Sequence, residues 1–393
     1  MRIGLIAPGG IDRSGRRDVI PALLSLTERL ARHHQVTVVV VRQEPEPCRF
    51  PLLGAEVVNL GYMAARKPGR VSLRCLCRML AALGLDGRRL DVLHAFWIAE
   101  CGVLAALAGR LWQVPVVVSV GGGELVWVPQ VGYGGQGDWQ CRVQATVALR
   151  CARAVTAGSH YARLPLKGHQ PEPRVVPLGV DTTRFHGSVQ RPDGPPWRLL
   201  HAASLNKVKN QGMLLRALQL VVDQLPGVQL DIVGDDCLHG ALHRMVAELG
   251  LTRVIHFHGL LDHEALVPLY RQAHLYVQSS WHESQGVAVC EAAACGVPTV
   301  GTAVGLVAEL APAAAWAVPC DNAAAMADAI LTLLRNRAHR EQLGRAAQDW
   351  ARAHDADWTA ATFTALYEQL GARGTTMEVC RSVDEEEVIP LEQ

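Results

Sequence analysis

The stretch HESQGVAVCEAAACGVP, residues 282–298, decides the reading of this chain, because it places Glu283 and Glu291 among residues that otherwise belong in a protein core. Ala292, Ala293 and Ala294 favour helix, while Gly296 followed by Val297 and Pro298 stops it and leads into a strand at Thr299 to Gly301. Upstream, HLYVQSS (274–280) is a short β-rich run. The order is therefore strand, loop, helix, strand, with Glu283 on the loop at a strand's C-terminal end and Glu291 inside the helix. Open parallel sheets bind ligands at that end. Up to about 12 Å of helix rise lies between the two carboxylates, enough for them to hold two ends of one extended ligand. For Glu283 taken alone, a solvated surface position is the better account. It accounts less well for Glu291, whose neighbours Val287, Val289, Cys290 and Ala292 to Cys295 leave little polar helix face. A half-buried carboxylate needs donors, from a ligand hydroxyl or a nearby cation.

Working outward, apolar β-rich runs alternate with helix-period segments almost from end to end, the pattern of a doubly wound α/β protein. Strands are expected at RIGLIAP, QVTVVVV, VLHAF, VPVVVSV, AVTAG and RVVPLG, with helices at about 16–32, 70–84, 99–112, 138–151 and 159–168. A second alternation runs through WRLLHAAS, VQLDIVG, VIHFHG, HLYVQSS, VPTVGTA and AAWAVP. Between them HGSVQRPDGPPW (186–197) has no apolar period and reads as a linker. The expected organisation is an N-terminal Rossmann-like domain over 1–185, a linker over 186–196, a C-terminal Rossmann-like domain over 197–350, a helix over 351–372, and a polar, acidic, disordered tail over 373–393. The cleft between the domains is the natural ligand site.

The chain has 393 residues, more than one core usually serves, and 49% hydrophobic composition, which argues against disorder. A formal charge of +1 gives no footprint for nucleic acid, although arginines and lysines gather around 64–78. The N-terminus reads as a buried strand and no apolar run reaches bilayer length, so a cytoplasmic protein is expected, with peripheral membrane contact left open. The eleven cysteines are scattered without paired zinc spacing, and are read as reduced thiols with no metal site.

Four glycine-rich turns fall where strands end and are candidates to offer N–H groups to an anion. These are Gly9 and Gly10 after the first strand, Gly121, Gly122 and Gly123 before Glu124, the loop SLNKVKNQG (204–212), and GTAVGLVAEL (301–310) with Gly305. Glycine turns also follow strands for purely conformational reasons. The third is the most specific, because Lys207 and Lys209 precede a helix N-terminus, where cations are unfavourable unless an anion lies between. Asn210 is expected to cap that helix. His94, in DVLHAFW, is read as ending a strand and facing the same cleft.

In this order the pieces resemble the family 4 glycosyltransferases, retaining enzymes of the GT-B fold, over residues 1 to about 372. The match rests on ESQGVAVCEAAACGVP with the preceding LYRQAHLYVQSSWHE, and on VVPLGVDTTRF (175–185) as the segment entering the linker. The resemblance implies a sugar moved from a nucleoside diphosphate sugar, UDP favoured over GDP, to a hydroxyl acceptor without a metal or other cofactor. It implies that Glu291 binds the ribose, Glu283 the donor sugar, Lys209 the diphosphate, and Val287 with the backbone from Gly286 the phosphates or sugar; Lys207 is the nearest additional cation, and the turn at Gly305 is a further candidate cradle for phosphate or a sugar hydroxyl. The final helix would cross back onto the N-terminal domain. Ser204 stands where the family usually has an arginine, and Gly121 where many members have a histidine. The acceptor surface is expected around Gly9, Gly10, His94 and Gly121 to Glu124. A non-catalytic nucleotide-sugar-binding protein and a sugar-nucleotide epimerase of the same fold are the alternatives.

Overall fold

A computed structural model describes residues 1–16, 18–61, 73–83 and 89–383, without the side chains of 73, 74 and 372–383. Most of the basic run at 64–78, and the tail beyond 383, lie outside the described residues.

Two sheets divide the chain. The first has eight strands: β1 (Arg2–Ala7), β2 (Gln35–Val40), β3 (Cys48–Leu52), β4 (Ala55–Asn59), β5 (Val92–Phe96), β6 (Val116–Val120), β7 (Ala154–Ala157) and β8 (Arg174–Val175). Their order is β3-β4-β2-β1-β5-β6-β7-β8, parallel except for β3 against β4. The second has β9 (Trp197–Ala202), β10 (Val228–Val233), β11 (Ile255–Gly259), β12 (Leu275–Gln278), β13 (Thr299–Thr302) and β14 (Ala315–Val318). It is parallel throughout, in the order β11-β10-β9-β12-β13-β14. Helices cover both faces, so strands such as β5 and β6 are buried along their whole length and read as continuous apolar runs. Strand order reverses between β1 and β5 and between β9 and β12, and the loops leaving those strands carry the candidate site.

Several expectations change. The hairpin β3–β4 has no counterpart in the sequence reading. Pro51 and the charged Arg49 and Glu56 hide its alternation, and a proline is tolerated there because β3 is an edge strand. The first helix is Pro21–Ala31 and starts later than residue 16, because Ile20 N–H is tied back to the Gly10 carbonyl at 2.8 Å and Pro21 suits the first helical turn.

The crossing also begins later than residue 351. Helix Arg337–Ala353 stays on the C-terminal domain, where Gln348 donates to the Ala294 carbonyl at 3.0 Å. The return is made by helix Ala356–Val383, whose Ala360, Phe363, Leu366 and Tyr367 join the core of β1, β2 and β5. That helix continues to Val383 in place of a disordered stretch from 373, no proline or C-capping turn interrupting it before then. Among the described residues, no helix is long and apolar enough to cross a membrane.

Candidate active site

The C-terminal half of the site is built from the loops after β9 and β12, which are stitched together through their backbones. Trp281 N–H donates to the Val208 carbonyl at 2.8 Å, Ser279 Oγ to the Lys209 carbonyl at 2.7 Å, and Thr302 Oγ1 to the Ser280 carbonyl at 2.6 Å. This brings Lys209 Nζ to 2.5 Å from Glu283 Oε1, which also accepts from Ser280 Oγ at 2.6 Å. Burial alone would raise the Glu283 pKa, but Lys209 and the Ser280 hydroxyl outweigh it and hold the carboxyl below its ordinary value. Glu283 is thus a half-desolvated carboxylate, charged at neutral pH. Lys207 is exposed two residues before Lys209, and so is Ser204. Asn210 adopts left-handed backbone at the start of helix Gln211–Gln224, yet its side chain donates to Asp321 at 3.1 Å and caps nothing. Asn206 does the capping one turn earlier, accepting from Lys209 N–H at 3.2 Å.

Glu291 lies in helix Val287–Ala294, entered through Gly286 at φ +94, a conformation that favours glycine. The donors its burial demands come from the protein. Tyr270 Oη donates to Oε2 and His263 Nε2 pairs with Oε1, each at 2.7 Å. Both lie on helix His263–Gln272, seven residues apart and therefore on one face, a spacing visible in the sequence but not recognised as aimed at Glu291. Each carboxylate oxygen retains a second acceptor position for a ligand. Val287 and Glu291 line a 120 Å³ cavity whose opposite wall is the first helix of the other domain, at Pro21, Ala22, Ser25 and Glu28.

The N-terminal half departs from expectation. His94 sits in the middle of β5, not at its end, and is fully buried away from the cleft. Its Nδ1 meets Tyr367 Oη at 2.6 Å and its Nε2 meets Ser119 Oγ at 2.7 Å, and burial drives its pKa down to about 3. It is a core histidine that locks the returning helix to the sheet. The glycine turns are filled from within. Gln43 Oε1 accepts from Gly10 N–H at 2.7 Å and Ile11 N–H at 3.1 Å. Glu124 accepts from Gly122 N–H at 2.7 Å, Ile98 N–H at 3.2 Å and Gly121 N–H at 3.4 Å, and burial raises its pKa against those bonds. Packing also restricts all three positions, most tightly at Gly121 and Gly123. A Cβ at Gly121 would lie 2.7 Å from the Trp97 ring, one at Gly122 3.2 Å from Trp97 Nε1, and one at Gly123 would enter the Tyr133 ring. Gly9 packs its backbone against Arg42. At Gly305, a Cβ would come within 2.5 Å of the Gln285 carbonyl and 2.8 Å of Glu283 Cβ, and Leu306 N–H donates to that same carbonyl. Gly305 therefore lets its chain approach the Glu283 loop closely.

The two halves meet through residues to which the sequence reading gave no interdomain role. Ser284 Oγ donates to the Gly122 carbonyl at 2.5 Å, Ser159 Oγ to the Ser284 carbonyl at 2.5 Å, and His160 N–H to Glu309 Oε2 at 2.9 Å. Gln285 exchanges two 2.8 Å bonds with the Leu178 backbone. The residues just after Glu283 are therefore the hinge contact with the other domain. No group of three His, Cys, Asp or Glu side chains suited to a metal ion occurs among the described residues.

Two facing Rossmann-like domains joined by a returning helix, with the site between them, define the GT-B architecture. Residues 19–181 match the "Glycosyl transferase 4-like domain" and residues 184–350 match "Glycosyl transferases group 1". The chain belongs to the glycosyltransferases of the family 4 type. It is 28% identical over 282 residues to a D-inositol 3-phosphate glycosyltransferase of Arthrobacter sp. (strain FB24), covering 66% of each chain. It is 30% identical over 203 residues to a glycogen synthase of Mycobacterium tuberculosis, covering 51% of this chain and 49% of that one. The matched stretches span from about a third to two thirds of such curated relatives. Among solved structures, sucrose-phosphate synthase from Thermosynechococcus elongatus superposes with TM-score 0.77 at 21% identity, over 95% of this chain and 99% of that one. Anabaena HepE in complex with UDP and glucose gives 0.72 at 18% identity, over 94% and 100%. These likenesses establish the fold.

Proposed function

We propose that this protein transfers a sugar from a nucleoside diphosphate sugar, with UDP as the nucleotide, to a hydroxyl acceptor with retention of anomeric configuration. The observation that carries the reading is the Lys209–Glu283 pair at the β9/β12 switch point, on the same sheet edge as the buried carboxylate of Glu291. The family membership and the UDP held by the structural neighbour HepE support it.

In this reading the ribose hydroxyls donate to the free acceptor positions of Glu291, while Tyr270 and His263 keep that carboxylate in place. The diphosphate takes Lys209 as its counter-charge, with Lys207 beside it, and Glu283 turns to the hydroxyls of the donor sugar. As the bond from the anomeric carbon to the diphosphate oxygen breaks, the lysines stabilise the developing charge. The acceptor oxygen bonds to the same face of that carbon, and its proton passes to the departing diphosphate. Ser204 contributes no cation, so these two lysines bear the electrostatic load. Closure of the domains through Ser284 and Gln285 aligns the reactants.

Incubation of the protein with UDP-glucose and a panel of alcohols, followed by NMR of the product anomeric proton, tests this directly. An α-glycoside from the α-linked donor is expected. A β-glycoside refutes retention, and a nucleotide-sugar product formed without any acceptor points to an epimerase.

A further inference from the structure

At the junction of the two domains, reached by His282 and Ser284 on either side of Glu283 in the chain, lies a second cavity of 180 Å³. Its walls are Val120, Leu125, Val126, Tyr161, Leu164 and Pro165 from the N-terminal domain, and the C-terminal domain contributes His282 and Ser284. Leu164, at its edge, is 66% exposed.

His282, Tyr161 and Ser284 are the polar side chains of this cavity, and Ser284 is already bonded to the Gly122 carbonyl. His282 is 5% exposed, its ring lies 5.7 Å from that of Tyr161 and 6.1 Å from that of Tyr133, and its Nε2 is buried without a hydrogen-bond partner. Leaving such an atom unpaired costs about 1–3 kcal/mol, which a ligand group would recover. Burial lowers the pKa of the imidazole, although Glu283 and the Gly122 carbonyl act the other way. The ring is therefore neutral at pH 7, with one nitrogen presenting a donor and the other a lone pair.

We propose that this cavity is the acceptor subsite and that it selects an alcohol carrying a compact apolar group, with His282 Nε2 hydrogen-bonded to the hydroxyl beside Glu283. This assignment rests on the transferase reading above. An apolar cavity of about 150 Å³ suffices to hold a benzene ring, so a single ring or a short branched chain fits here. No charged side chain lines the cavity to bind a phosphate or offset the desolvation of a polyol.

Benzyl alcohol, toluene and myo-inositol serve as probes, their binding followed by ligand-observed NMR in the presence of UDP. Benzyl alcohol is expected to bind at least tenfold more tightly than inositol. His282→Phe, which keeps a ring among the two tyrosines, should weaken benzyl alcohol severalfold and leave toluene unchanged. Leu164→Glu, at an exposed position, should weaken both while the UDP-induced rise in melting temperature persists. Tighter binding of inositol, or benzyl alcohol binding indifferent to both variants, overturns the assignment. Loss of the UDP response in the wild-type protein overturns instead the transferase reading on which it depends.

Discussion

The two edges of the cleft are made of the same elements, loops leaving parallel strands at a switch point, yet they use their polar groups in opposite ways. On the C-terminal edge Lys209 and Glu283 pair with each other, and Glu291, held by His263 and Tyr270, keeps spare hydrogen-bonding capacity. On the N-terminal edge the loop amides are consumed by Gln43 and Glu124, and His94 is consumed by Tyr367 and Ser119. One edge is equipped to recognise charge. The other has the amides of its glycine turns satisfied from within and adds the apolar cavity lined by Val120, Leu125 and Val126.

The largest effect that would break this contrast belongs to Lys209. Lys209→Ala should lower transfer by about 10²–10³, the usual cost of removing one group that stabilises developing charge. Glu283→Gln should fall in the same range, by removing a carboxylate from the donor sugar. Steady-state rates with saturating donor test both, and a change under threefold would remove the pair from the chemistry.

On the other edge the expected loss is in stability, not in nucleotide binding. Glu124→Ala strands the N–H groups of Ile98, Gly121 and Gly122, at about 1–3 kcal/mol for each group left unpaired and inaccessible to water. Its melting temperature should drop by several degrees while the rise given by UDP stays the same. A variant that melts normally but no longer responds to UDP would move the nucleotide site to this edge.

A smaller effect concerns acid. His94 has an ordinary pKa of 6.5, lowered to about 3 in the folded protein, so between those values the unfolded chain binds the extra proton. Its contribution is complete above pH 6.5 and is lost as pH falls, by about 1.4 kcal/mol per pH unit for one proton. His94→Gln, measured by denaturant unfolding at pH 5 and pH 7, should show a shallower fall than the wild type. Equal slopes would mean that His94 is not a buried neutral ring.

The same contrast explains what was legible in the sequence. Glu283, Glu291 and the helix between them lie within one contiguous motif whose turn and small residues prescribe its local structure, and Lys209 lies on a loop with its own helix-start signal. The N-terminal edge depends on partners distant in the chain. His94 and Tyr367 are 273 positions apart, and nothing local to DVLHAFW reveals that a helix near the C-terminus will cover that strand. The glycines of SVGGGE looked like an anion cradle because glycine permits both a cradle and a close approach of rings. Only the positions of Trp97, Tyr133 and the Glu124 side chain separate the two. His282 escaped notice for a related reason, since its unpaired nitrogen becomes visible only when the opposite domain encloses it.

The central claim is that the C-terminal edge binds a nucleoside diphosphate through Glu291 and Lys209. Thermal-shift titrations with UDP and uridine, on the wild type, Glu291→Ala and Lys209→Ala, test it most directly, because a ligand bound only by the native state must raise its apparent stability. The account predicts a UDP response in the wild type, loss of response to both ligands in Glu291→Ala, and in Lys209→Ala a loss for UDP far exceeding that for uridine. Equal losses for UDP and uridine in Lys209→Ala, or a UDP response untouched by Glu291→Ala, would contradict it.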